Sequence, residues 1–149
     1  MVKFTTAIFL YFISLVTCQY QRDFLVFTAH LTCKLPGIFR YQIQYMEDDT
    51  IFPHDRVTRF DSVGNGIGEV ISNNFGVMYG DGFLDRNYEI YVIILHNCTK
   101  NSKMMREYQF YIDPPCETTG GCKRQFNLDI TDLGEEVTPR VIHYPSYSV

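Results

Sequence analysis

The strongest constraint on the fold is an apolar run from Tyr88 to His96, which is followed two residues later by Cys98. Its side chains are apolar at both odd and even positions, so a strand formed by this run must be covered on both faces. β-branched and aromatic residues dominate the run, and such residues favour a strand. The run therefore predicts a strand that is central in a sheet or packed within a sandwich.

Several other segments alternate between apolar and polar residues, which is typical of half-buried strands. These segments cover residues 25–34, 39–45, 56–63, 69–75, 105–112 and 125–130. Between the third and fourth of them, Gly64-Asn65-Gly66 is predicted to make a tight hairpin turn, because Asn-Gly tolerates positive φ angles. No segment has a convincing amphipathic helical pattern. We therefore expect an all-β sandwich of immunoglobulin size with about seven strands.

The N-terminus is predicted to be a signal peptide covering residues 1–18. Lys3 precedes an apolar block at 4–16, which is too short to span a bilayer. Val16 and Cys18 then occupy the small-residue positions of a cleavage site. An uncleaved anchor is the weaker alternative, and we expect the protein to be secreted and extracellular.

The rest of the chain is predicted to hold one domain at 19–133 and a flexible tail at 134–149, where the alternating pattern ends. A domain of this length can bury roughly two-thirds of its unfolded surface. The net charge is −4 at pH 7 and no basic block occurs, which argues against binding to nucleic acid. No second apolar run reaches membrane length, so no span is expected in the mature chain.

Six segments are informative when they are taken together. In chain order they are Leu31-Thr32-Cys33, Tyr45 to Asp49, Asp61 to Gly66, Tyr88 to Cys98, Ile112-Asp113-Pro114 and Phe126 to Leu133. As a set they resemble the nematode transthyretin-like family, whose members are secreted β-sandwich proteins related in fold to transthyretin. Their order and spacing carry the resemblance, which implies a disulfide-stabilised sandwich and an extracellular binding or signalling role. The family's His-Asp-Cys is His96-Asn97-Cys98 here, and two cysteines fall in places the family does not predict.

The cysteines are predicted to form disulfides. Of the five in the chain, Cys18 would leave with the signal peptide, and the remaining four are Cys33, Cys98, Cys116 and Cys122. In a small secreted domain these can pair in any of three ways. We favour Cys33–Cys98, which would join two strand ends, and Cys116–Cys122, which would close a local loop. Their spacing does not match that of a zinc site.

The end of the apolar run carries two further candidate sites. Asn97-Cys98-Thr99 is an N-glycosylation sequon, which predicts a glycan on Asn97, although the central cysteine can lower its occupancy. His96 lies two residues before Cys98 and could suggest a catalytic or metal site. An oxidised Cys98 cannot act as a nucleophile, so we interpret His96 as a structural histidine.

These observations predict a secreted binding or signalling protein without catalysis, cofactor or metal. The expected partner is an extracellular protein, a glycan or a lipid head group. One alternative is a transthyretin-related hydrolase acting on 5-hydroxyisourate, and another is a carrier of small hydrophobic ligands. The hydrolases end in Tyr-Arg-Gly-Ser, which the ending from Tyr144 to Val149 does not match. A calcium site built from the acidic residues at 47–49 and 55 is a weaker alternative.

Overall fold

The computed structural model describes residues 22–48, 54–79, 86–118 and 120–138, and these residues form strands, turns and loops without a helix. The predicted signal peptide and most of the predicted tail lie outside them. The strands are β1 Asp23–Thr32, β2 Ile38–Glu47, β3 Asp55–Arg56, β4 Ser62–Ile67, β5 Glu69–Met78, β6 Asn87–Tyr88, β7 Ile90–His96, β8 Met105–Tyr111, β9 Cys116–Glu117, β10 Cys122–Asp129 and β11 Glu135–Val137. The all-β prediction is confirmed, but the strand count exceeds seven.

Nine strands form one continuous sheet that folds over on itself. Its order is β10-β1-β5-β4-β2-β7-β8-β11, with β3 paired to β2, while β6 and β9 form a separate two-stranded sheet. β4 and β5 share only the pair Ile67 and Glu69, so the sheet can bend there. The two halves face each other, because Phe27 of β1 stacks on Tyr45 of β2 with 4.3 Å between ring centroids. The result is a sandwich-like fold.

The core lies between the two halves and follows the alternation in the sequence. β1 buries every second residue, and β2 does the same from the opposite half. The buried side chains of these two strands are Leu25, Phe27, Ala29, Leu31, Phe39, Tyr41, Ile43 and Tyr45. Full burial of such large apolar side chains contributes about 1.5–3 kcal/mol each, so these two strands supply much of the stability.

β7 is central in its half and is covered on both faces, as the sequence predicted. Ile90, Val92 and Ile94 are buried in the core. On the other face, Tyr91 is only 7% exposed and makes an edge-on contact with the His54 ring. The predicted strand is interrupted at Glu89, so that its first residues form β6 in the small sheet.

The predicted hairpin turn at 64–66 is wrong, because these residues lie inside β4. The chain reverses two residues later at Gly68, whose φ of +69° suits glycine. Gly66 has a different role: it is paired with Phe39, and a Cβ on it would lie 2.5 Å from Cζ of that ring. The glycine therefore makes room for an aromatic ring of the neighbouring strand.

Strand structure continues beyond the predicted domain boundary at residue 133. Glu135–Val137, which the sequence analysis placed in the tail, form β11 and pair antiparallel with β8. Gly134 immediately before them has a φ of +86° and lies so close to β8 that a Cβ would meet the Glu107 carbonyl oxygen at 2.3 Å. A glycine at this position lets the chain turn sharply onto the edge of the sheet.

Candidate functional site

Two disulfides hold the sandwich, and both are the pairs favoured from the sequence. Cys33–Cys98 joins the residue after β1 to the segment after β7, across a sequence separation of 65. Cys116–Cys122 joins the start of β9 to the start of β10, across a separation of 6. All four residues are buried. Two buried disulfides are compatible with an extracellular location.

His96 is fully buried, and both of its ring nitrogens are occupied. Nδ1 accepts a hydrogen bond from the Cys98 backbone N–H at 3.2 Å, so Nε2 carries the proton and donates to the Leu133 carbonyl at 3.0 Å. Burial lowers the pKa of His96, which keeps the ring neutral. Because neither nitrogen is free to ligate a metal or accept a proton, the geometry supports the structural interpretation.

Asn97 links the end of β7 to its surroundings through its side-chain amide. Oδ1 accepts a hydrogen bond from the Arg40 backbone N–H at 2.6 Å, and Nδ2 donates to the Ser102 carbonyl at 2.8 Å. Nδ2 is also the atom to which an N-glycan attaches. Glycosylation replaces one of its two hydrogens, so the amide keeps one donor.

A polar cluster on the outer face near the end of β8 is another feature with titratable groups. His54 Nδ1 lies 3.2 Å from Asp48 Oδ1, and the Tyr111 hydroxyl donates a hydrogen bond to Asp48 Oδ2. The hydrogen bond to Asp48 raises the pKa of Tyr111. Within the described residues, no group of three His, Cys, Asp or Glu side chains is arranged to hold a metal ion. The cluster connects the residue that follows β2 to the end of β8.

The exposed apolar surface is concentrated on the outer face of β1 and β5. Phe24 and Phe75 stack there with 5.8 Å between ring centroids, and each is more than half exposed. The Arg22 guanidinium lies 5.7 Å from the centroid of the Tyr79 ring nearby. This surface offers apolar area, but its strands already use their backbone groups to pair with each other.

The outer edge of β8 is a candidate site for binding a ligand. β11 pairs only with residues 105–107 of β8, and no other described strand lies beside Gln109 and Tyr111 on that side. A cleft of about 480 Å³ adjoins this edge. Its lining residues are Glu107, Tyr108, Gln109, Gly134, Glu135 and Val137. We call this combination the β8 edge site.

Charge and aromatic side chains flank the β8 edge site on opposite faces of the sheet. Glu107 and Glu135 are direct cross-strand partners, which places two carboxylates side by side on the outer face. On the inner face, Phe110 packs edge-on against Phe126 of β10 with 5.1 Å between centroids, and both rings remain partly accessible. The site therefore combines open backbone groups, negative charge and apolar surface.

The sequence analysis assigned no binding role to any of these residues. Glu107 lies in a segment correctly predicted to be a strand, but its partner Glu135 was assigned to the tail. Residues that are joined by a short hairpin can be paired from the sequence alone. Glu107 and Glu135 lie 28 positions apart in the chain, so their pairing could not be predicted in this way. Only the turn at Gly134, whose φ is +86°, brings them together.

Comparison with known proteins adds one relative. The chain is 32% identical over 85 residues to an uncharacterized protein of Caenorhabditis elegans. The matched region is 57% of this chain and 62% of the nematode protein, so the chain spans less than two-thirds of that relative's length. No family model matches the chain. Within the described residues, the structure contains no helix that is long and apolar enough to cross a membrane.

Proposed function

We propose that this chain is a secreted binding protein of the transthyretin-like class, which recognises an extracellular protein partner through the β8 edge site. The N-terminal leader pattern, the two disulfides and the order of the family-like segments support the class and the compartment. The similarity to a nematode protein is in keeping with it. A glycan on Asn97 belongs to the same proposal.

The observation that carries the proposal is the convergence at the β8 edge of three kinds of recognition group. Backbone donors and acceptors of an open strand bind another strand without regard to its sequence. The acidic pair and the partly accessible rings then select among candidate strands. By contrast, the histidine at the end of β7 is committed to two hydrogen bonds and supports no catalytic step.

The proposal is tested with protein secreted from a eukaryotic host, with its disulfides intact. Immobilised wild type and Gln109→Pro are compared for capture from extracellular and membrane fractions. We expect a partner that wild type retains and Gln109→Pro loses, because proline removes the N–H at the open edge. Capture that is equal for both proteins would contradict the edge as the binding surface.

Two further measurements separate this proposal from its alternatives. The mass of the secreted protein should correspond to a chain starting at Gln19, plus a glycan that a glycosidase removes. The purified protein should leave 5-hydroxyisourate unhydrolysed above the rate in buffer. Measurable hydrolysis that is lost on substitution of a single residue would replace the binding function by an enzymatic one.

A further inference from the structure

The geometry points to a specific kind of partner for the β8 edge site: an extended peptide strand with a Lys or Arg next to an apolar residue. This inference rests on the proposed binding function and adds the chemistry of the ligand. Three observations lead to it, namely the direction of the backbone groups, the acidic pair on one face and the aromatic contact on the other.

The backbone direction follows from one hydrogen bond. The Ile112 N–H donates to the Ile90 carbonyl at 2.8 Å, so Ile112 points its backbone groups towards β7. In an antiparallel pair the direction alternates along the strand, so Gln109 and Tyr111 direct their N–H and C=O groups away from β7. β11 occupies the equivalent outward groups of residues 105–107 only. An incoming strand can therefore extend the sheet opposite Gln109 and Tyr111.

The acidic pair selects the charge of that strand. Glu107 and Glu135 face each other directly across the β8–β11 pair, and like charges in such positions repel. The other cleft-lining side chains supply no cation. Arg106 lies on the opposite face, where it donates to the Gly134 carbonyl at 2.6 Å. A Lys or Arg opposite Gln109 would lie diagonal to Glu107, within about 7–8 Å, and would offset the repulsion.

The aromatic contact selects the neighbouring residue. Successive side chains of a strand point to opposite faces, so the residue next to the basic one faces the inside of the sandwich, opposite Phe110. There it meets the edge-on contact between Phe110 and Phe126, whose rings are only half-buried. An apolar side chain at this position would cover both rings, whereas a polar one would leave its own groups without partners.

A second copy of this chain fits the site poorly. If its β8 edge were the incoming strand, it would present Glu107, Gln109 and Tyr111 on the outer face and bring no cation to the acidic pair. The charge therefore favours a basic strand from another protein.

The test measures binding of a synthetic peptide by fluorescence anisotropy. The probe is a labelled, end-blocked Thr-Val-Lys-Val-Thr, with Thr-Val-Glu-Val-Thr and a backbone N-methylated Thr-Val-Lys-Val-Thr as controls. The full secreted chain is used with its disulfides intact. We expect the lysine peptide to bind saturably and both control peptides to bind at least about tenfold more weakly, because the glutamate peptide loses the charge pairing and the N-methylated peptide loses backbone hydrogen bonds.

Three protein variants locate the contact. Gln109→Pro should reduce the affinity for the lysine peptide about tenfold, and by more than Gln109→Ala, which removes the same side chain but keeps the backbone N–H. Glu107→Gln should reduce the preference for the lysine peptide over the glutamate peptide. Urea unfolding of each variant confirms that it is folded, so that a loss of binding reports on the site.

Four results would overturn the inference. The first two are equal affinity for the lysine and glutamate peptides and unchanged affinity of Gln109→Pro for the lysine peptide. The third is a wild-type dimer that Gln109→Pro converts to a monomer. The fourth is peptide binding that is seen only in a chain that ends at Thr138. The third would make a second copy the occupant, and the fourth would make it the chain's own C-terminus. If wild type still captures a partner that Gln109→Pro loses, the proposed function stands without this ligand chemistry.

Discussion

The two disulfides should differ about twofold in their contribution to stability, because they close loops of very different length. Cross-linking the unfolded chain removes conformational entropy in proportion to the logarithm of the loop length. For the separation of 65 between Cys33 and Cys98 this corresponds to about 4 kcal/mol. For the separation of 6 between Cys116 and Cys122 it corresponds to about 2 kcal/mol.

The comparison is made between two double variants, Cys33→Ala/Cys98→Ala and Cys116→Ala/Cys122→Ala. All four cysteines are buried, with exposures between 0% and 7%, so each double variant loses a similar amount of packing. The difference in unfolding free energy, about 2 kcal/mol, therefore reports mainly on loop closure. Equilibrium urea unfolding measures it, and the slope should increase more for the first variant because its denatured state expands more.

A larger loss for the short-loop variant would refute this reasoning. It would mean that Cys116–Cys122 stabilises the folded state directly, by holding the small sheet against β1. The contacts that would then matter are those of Asp23, a buried residue that accepts hydrogen bonds from the Tyr88 hydroxyl at 2.8 Å and from the Gly120 N–H at 3.2 Å.

Two further predictions concern the end of β7. Burial lowers the pKa of His96 in the folded state, so the unfolded chain binds a proton at higher pH than the folded one. The unfolding free energy should therefore be highest above about pH 6.5. It should fall towards lower pH, with a slope of up to about 1.4 kcal/mol per pH unit. Urea unfolding between pH 5 and 8 should show this slope in wild type and not in His96→Gln, and a slope that survives the substitution would assign the effect to another group. Asn97→Asp keeps the acceptor for Arg40 but loses the donor to Ser102, so it should lower the unfolding free energy by about 1 kcal/mol in protein from a host that does not glycosylate. An unchanged stability there would show that the Ser102 bond contributes nothing, leaving the glycan as the reason for an asparagine.

Strands with an alternating pattern of apolar and polar residues could be predicted from the sequence. These strands contribute most of the side chains in the core. Alternation within β1, β2 and β8 depends only on neighbouring residues, so it specifies which side chains are buried. The turn between β4 and β5 could not be located in this way. Gly66 looks like a turn residue until its partner is known to be Phe39, which is far away in the chain and needs the space that a side chain would fill.

The β8 edge site could not be predicted from the sequence for a related reason. It consists of what a neighbouring strand leaves uncovered, and this depends on where β11 joins and leaves the sheet. The disulfides, His96 and Asn97 could be recognised because cysteine, histidine and a glycosylation sequon each indicate a particular chemistry by residue type alone. Gln109 and Glu107 are ordinary strand residues that gain a role only from the end of the β8–β11 pairing.

The position of β11 also sets how much of the β8 edge stays open. A long, flat, apolar edge would pair with other chains indiscriminately. Here Gly134 brings β11 onto β8 so that it covers one part of the edge and leaves a short part beside Gln109 and Tyr111. Under the proposed ligand chemistry, the two like charges of Glu107 and Glu135 repel acidic strands, including this chain's own β8 edge, and favour basic ones. The repulsion between Glu107 and Glu135 should therefore cost some stability in the free protein and, if the proposal holds, supply selectivity in the bound one.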